Sequence, residues 1–140
     1  MIRPGLTFVL WFAIALLVLV NNIIGDTWIA DRLPVLAVEW YKVLVPLPYV
    51  ILMSVIHARR TTGPRWLDAA LLAPLLWPTT TVLADFLYGR LLFGMEPAEF
   101  LDRFAVWWGA PYPLLVVGLF VSPLAVAYLV RASAPPAART

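Results

Sequence analysis

The amino-acid sequence predicts an all-α polytopic membrane protein, with four antiparallel transmembrane helices in a bundle. Three observations predict it. Of 140 residues, 63% are apolar and only 13% are charged, against roughly 25% charged in an ordinary soluble domain, too few to coat a surface facing water. Four runs are long and charge-poor enough to cross a hydrocarbon layer. The segments between them hold most of the charges and turn formers.

The first run is Leu6 to Ile24, 19 residues without a charge. At about 1.5 Å per residue it rises roughly 28 Å, close to the ~30 Å hydrocarbon thickness. It exceeds the h-region of about 7–15 residues found in signal peptides, and no small-residue cleavage site follows it, so it reads as a retained span. The mixed segment Gly25 to Lys42, broken by Pro34, leads into a second span over 39–58. The Arg59-to-Arg65 stretch, with Gly63 and Pro64, is a turn by composition. A third span covers 66–88 and a fourth 104–130, separated by an acidic loop with Glu96, Glu99 and Asp102. Together these make a single four-helix transmembrane domain over 1–131. A proline- and alanine-rich tail over 132–140 is expected to be disordered.

Charge asymmetry gives an expected orientation. Arg3, Arg59, Arg60, Arg65, Arg131 and Arg139 fall on one side, with Asp68 as the nearby acid. Arg32, Lys42, Arg90 and Arg103 fall on the other, together with seven of the eight carboxylates. The positive-inside rule then places both termini in the cytoplasm and the chain in the cell (inner) membrane. Trp28, Trp40, Trp66, Trp107 and Trp108 lie near predicted span ends, where amphipathic rings settle at headgroup depth.

Several function classes are excluded or disfavoured. The net charge of +2 and the scattered arginines do not make a nucleic-acid surface. There is no cysteine and one histidine, so thiol chemistry is excluded and a multi-histidine metal or haem site disfavoured within one chain. No cofactor and no metal are expected. The motifs of lipoprotein signal peptidases and the first-span glutamate of small multidrug exporters are absent.

The chemistry-bearing residues gather at one depth. Asn22 and Asp26 close span one, four apart and on one face if the helix continues. Thr81, Asp85 and Tyr88 share a face near the end of span three. Glu39 and Lys42 open span two, and Arg103, Trp107 and Tyr112 open span four. Asp85 follows 16 uncharged residues, Ala69 to Ala84. An ionisable group at the centre of a span costs at least about 2.5–3.5 kcal/mol, so it turns inward and finds partners. Two readings of this cluster stand. In one it is a pocket for a lipophilic small molecule. Asp26 and Asp85 receive polar or cationic groups, Tyr88 and Tyr112 donate hydrogen bonds, and Trp107 and Trp108 form an apolar wall. In the other it is a structural ion-pair network, with Asp26 or Asp85 paired to Arg103, Arg90 or Lys42. The corresponding functions are a ligand-binding or catalytic protein, an accessory subunit of a larger membrane assembly, and a small oligomeric transporter. The partners expected are the lipid bilayer, a lipophilic small molecule, and other membrane subunits or further copies of the chain.

Three further readings are structural. Pro46, Pro48, Pro74, Pro78, Pro111, Pro113 and Pro123 fall inside predicted spans, and each removes a backbone donor. Thr79, Thr80 and Thr81 follow Pro78 and are expected to bond back to the carbonyls it frees. His57, with Arg59 and Arg60, reads as an interfacial anchor for anionic headgroups.

Overall fold

The computed structural model describes residues 2–133; its regular secondary structure is all helical, with no strand among the described residues. Four helical segments are long and apolar enough to cross a bilayer: Pro4–Ile29, Val35–Arg60, Trp66–Phe93 and Tyr112–Ala132. The first is α1 (Pro4–Ile24), continued by a π-helical turn over Gly25–Ile29. The second is α2 (Val35–Leu44) joined to α3 (Pro46–Arg60). Then come α4 (Trp66–Phe93), the short α5 (Pro97–Asp102), a 3₁₀ turn at Val106–Trp108, and α6 (Tyr112–Ser133).

Most boundaries differ from the sequence expectation, for backbone reasons. Span two begins at Val35, not Glu39, because Pro34 ends the preceding loop and supplies the carbonyl for the first helical bond. Span three runs on to Phe93, because nothing in Gly89-Arg90-Leu91 breaks an established helix. Span four begins at Tyr112, not Phe104. Gly109 takes a left-handed conformation (φ 84°) that ends the 3₁₀ turn, and Pro111 disfavours a helical conformation at Ala110, the residue before it. Of the expected tail 132–140, Ala132 and Ser133 are helical, and the rest lies outside the described residues.

The prolines sort by position. Pro46 opens α3, and Pro113 lies in the first turn of α6, where a missing N–H is one of the helix's orphan donors anyway. Pro74, Pro78 and Pro123 lie inside helices. Thr79 and Thr80 bond back to the carbonyls of Leu75 and Leu76, and neither is a carbonyl freed by a proline, since Pro78 frees that of Pro74.

Packing order differs from chain order. Span one packs on spans two and three, and span four packs on the same two. Spans two and three are consecutive in sequence, yet they lie on the diagonal. Span one and span three are therefore parallel neighbours, in matching register: Trp77 reaches Thr7, Thr81 reaches Trp11, and Tyr88 reaches Asp26. The core is built from Leu10, Ile14 and Val18 of α1, Val43 and Val50 of span two, Trp77 of α4, and Tyr112, Leu115 and Leu119 of α6. Ala58, Ala70 and Ala127 form a smaller cluster toward the other end, where small side chains let the helices close. The outward faces are apolar, with Phe8, Phe12, Leu16, Leu75 and Leu83 each about half exposed or more. Such faces are stable against hydrocarbon and would be a liability against water.

Candidate functional site

Two buried polar clusters occupy opposite ends of the bundle. The first is the one expected from sequence, at the end away from Arg59 and Arg60. Asp85, on α4, is buried among three helices. Its Oδ2 accepts a 2.6 Å hydrogen bond from the Tyr112 hydroxyl of α6, and its Oδ1 accepts a longer 3.4 Å bond from the Asn22 amide of α1. Both partners are neutral. The Arg103 guanidinium lies over the Tyr112 ring, 4.0 Å from its centre, so its charge acts on Asp85 without an ion pair between them.

Asp26 lies on the π-helical turn that extends α1. That turn carries the helix past Ile24, so Asn22 faces Asp85 while Asp26 faces Lys42 and Tyr88. Lys42 Nζ stands 3.1 and 3.3 Å from the two Asp26 oxygens, and the Tyr88 hydroxyl donates to Oδ2 at 3.1 Å. Lys42 also donates to Glu39 at 3.4 Å, and Glu39 accepts from Arg103 Nε at 3.0 Å. Gly25 makes room for this arrangement: a Cβ there would stand 3.2 Å from the Lys42 stem. Lys42 is thus a buried cation shared by two carboxylates, the form in which a charge can be retained away from water.

Of the residues singled out from sequence, Asn22, Asp26, Asp85, Tyr88, Arg103 and Tyr112 belong to one connected network. Thr81 is a close neighbour. Its hydroxyl is buried and accepts from the Trp11 indole N–H at 3.2 Å, in place of capping a proline-freed carbonyl. Trp107 does not join. It is 75% exposed on the 3₁₀ turn, because Arg103 and Trp107 are not successive turns of one helix once α6 starts at Tyr112. Trp108 is likewise exposed, so neither forms a wall. Arg90 pairs outside the network, with Glu96 at 3.2 Å. The ion-pair reading therefore holds for Asp26 with Lys42. Arg103 pairs with Glu39, and among the described residues Asp85 has no ion pair.

Beside this network runs a groove of about 610 Å³ between α1 and α4. Its walls are the apolar faces of those two parallel helices, among them Phe8, Phe12, Leu16, Leu87 and Leu91. Its surface is almost wholly apolar; Asn22, Thr81, Asp85 and Tyr88 border it along α1 and the second half of α4. Sequence reading had no means to find the groove. In both helices apolar residues are spread around the axis, so periodicity does not single out the stripe that borders it. The Trp11–Thr81 bond, between residues 70 positions apart, is likewise visible only in three dimensions.

The second cluster lies toward the basic end and centres on His57. It is buried, not interfacial as its neighbours Arg59 and Arg60 suggested. The α3 helix turns His57 inward and leaves the two arginines exposed. Its Nε2 lies 2.8 Å from the Thr7 hydroxyl, which itself donates to the Arg3 carbonyl at 3.0 Å. A hydroxyl has one proton, so with that proton on Arg3 the imidazole N–H is the donor to Thr7. The Trp77 indole N–H donates to the Thr7 carbonyl at 3.1 Å, and its ring meets His57 edge-on at 5.9 Å. Cationic side chains at this end include Arg65, paired with Asp68, and Arg131, which lies 5.2 Å from the Trp66 ring centre.

No group of three or more metal-ligating side chains is present among the described residues. No protein-family model, curated protein or solved structure matches the chain. What stands is an all-α chain with four helices able to cross a bilayer, a membrane protein by composition and by fold.

Proposed function

We propose that this chain is a membrane protein that binds a lipophilic small molecule from within the bilayer, in the groove between α1 and α4. The observation that carries the reading is an apolar groove that meets Asn22, Asp85 and Tyr88 along one border. Its volume of about 610 Å³ falls in the range of about 300–1,000 Å³ typical of small-molecule sites. Almost wholly apolar walls with a few polar residues at their border suit a molecule that is mostly hydrocarbon and carries one polar end. A groove bounded by only two helices is reached sideways from the lipid phase, so a ligand need not pass through water. Asp85 and Asn22 receive the polar end, and the walls set by Phe12, Leu16 and Leu87 hold the rest.

The test is to fill the groove without touching the polar network. Ala84→Phe, on the groove side of α4, places a ring where the ligand lies. Protein purified in mild detergent and reconstituted in nanodiscs is analysed by native mass spectrometry for a retained lipophile. The expected result is a bound species with the native chain that disappears in the Ala84→Phe variant, with helical content unchanged. Absence of any bound or bindable lipophile with the native chain would refute the reading.

A second reading has its own observation in favour. The chain Asp26–Lys42–Glu39–Arg103 is a closed run of ion pairs, which suits a role in locking helix packing within a larger membrane assembly. Reproducible co-purification of partner subunits, with no lipophile in the groove, would favour that reading over the first.

A further inference from the structure

The charges of the polar network do not balance. Three carboxylates, Asp26, Glu39 and Asp85, share the site with two cations, Lys42 and Arg103. Both cations form their ion pairs with Asp26 and Glu39, and they act on Asp85 only from beyond ion-pair distance. Lys42 bridges those two acids, and Arg103 completes Glu39. Asp85 receives one short and one long bond, both from neutral donors. A carboxylate has about four lone-pair sites to offer, so acceptor capacity remains. The residue is only 6% exposed, and it borders the groove. An ionised carboxylate in such a setting is expensive unless an opposite charge reaches it.

We propose that the missing charge arrives with the ligand: the groove takes a lipophilic cation, its ammonium set against Asp85 and its hydrocarbon between α1 and α4. This deepens the reading of the groove as a ligand site and rests on it. The walls supply a second attraction for such a head. The Tyr88 and Trp11 rings border the same groove, and aromatic faces attract ammonium groups electrostatically. A neutral head gains at most a hydrogen bond from Asp85, and an anionic head meets repulsion there.

A matched pair of probes separates the charge from the shape. One is a phenylbutyl chain ending in trimethylammonium, and the other is its uncharged tert-butyl isostere. Binding of each is measured by calorimetry on full-length protein in nanodiscs of zwitterionic lipid, with empty nanodiscs as the blank. The expected result is a preference for the cation of about ten-fold or more, since a charge pair that excludes water is worth well over the ~1.4 kcal/mol of one decade. Asp85→Asn keeps an acceptor for Tyr112 and removes the charge, so it should abolish the preference while the isostere binds as before. Tyr112→Phe removes a donor but keeps the carboxylate, so the preference should persist or grow; this variant keeps the test open if Asp85→Asn does not fold. Equal affinity of the native chain for both probes, or a preference that survives Asp85→Asn, would overturn the cation proposal and leave the groove standing. Failure of both probes to bind would sink the groove as well.

Discussion

The two buried polar clusters differ in a way that separates scaffold from site. At the basic end, Thr7, His57 and Trp77 come from three helices and satisfy one another with neutral groups. The cluster is closed, with each of these three residues at most 1% exposed. At the acidic end, the network joins α1, α2, α4 and α6 and carries five charged groups. It is open on one side, where Asp85 borders the groove without a cation of its own. A closed, neutral, matched cluster is what helix packing alone requires. An open one with an unmatched charge costs stability, and stability is commonly lost where function is gained. Burial of a polar group therefore does not by itself mark a site; the unmatched charge facing a space does.

The hardest test of this contrast is Trp77→Ala. It removes the largest fully buried side chain and the bond to the Thr7 carbonyl. The expected loss is about 3–5 kcal/mol, in the range for large aromatic deletions, seen as collapse of folded yield in detergent. A well-folded variant would mean that the basic end is not the scaffold.

The sharper test sets His57→Ala beside Asp85→Asn in thermal unfolding. His57→Ala strips the Thr7 hydroxyl of its buried partner and should cost about 1–3 kcal/mol. Asp85→Asn should leave the melting temperature unchanged or raise it, because it relieves an uncompensated charge. If both variants lost stability alike, the acidic end would be scaffold too.

The smallest effect comes from adjacent asparagines. The Asn21 amide nitrogen is buried without a hydrogen-bond partner, whereas Asn22 donates to Asp85. Asn21→Leu should raise stability by roughly 1 kcal/mol, the order of cost of an unmade buried bond. Asn22→Leu should lower it, and comparing the two melting curves checks both.

Much of this molecule was legible in its residues. Composition and charge-free run length established an all-helical chain able to cross a bilayer four times, because hydrocarbon leaves a spanning backbone few alternatives to a helix. The depth of the polar residues along each run brought six of the eight singled-out side chains to one level, since helix rise converts sequence position into height. Rotation about each axis was not legible. Along a helix whose apolar residues are spread around the axis, periodicity cannot say which stripe faces a partner, so the groove and Trp11 went unseen. His57 was misplaced for the same reason: its position along the helix did not say that it faces inward.

Helix starts at Pro34, Gly109 and Pro111 depended on backbone conformation, and a late start for α6 removed Trp107 from the cluster. The tertiary structure alone decided who neighbours whom. Placing spans two and three on the diagonal made spans one and three parallel partners. That pairing set Asn22 against Asp85 and opened the groove beside them. Height in a membrane is written locally, in the count of apolar residues; neighbourhood is a property of all four helices packing at once, and it turned a row of polar residues into a network with one unmatched carboxylate.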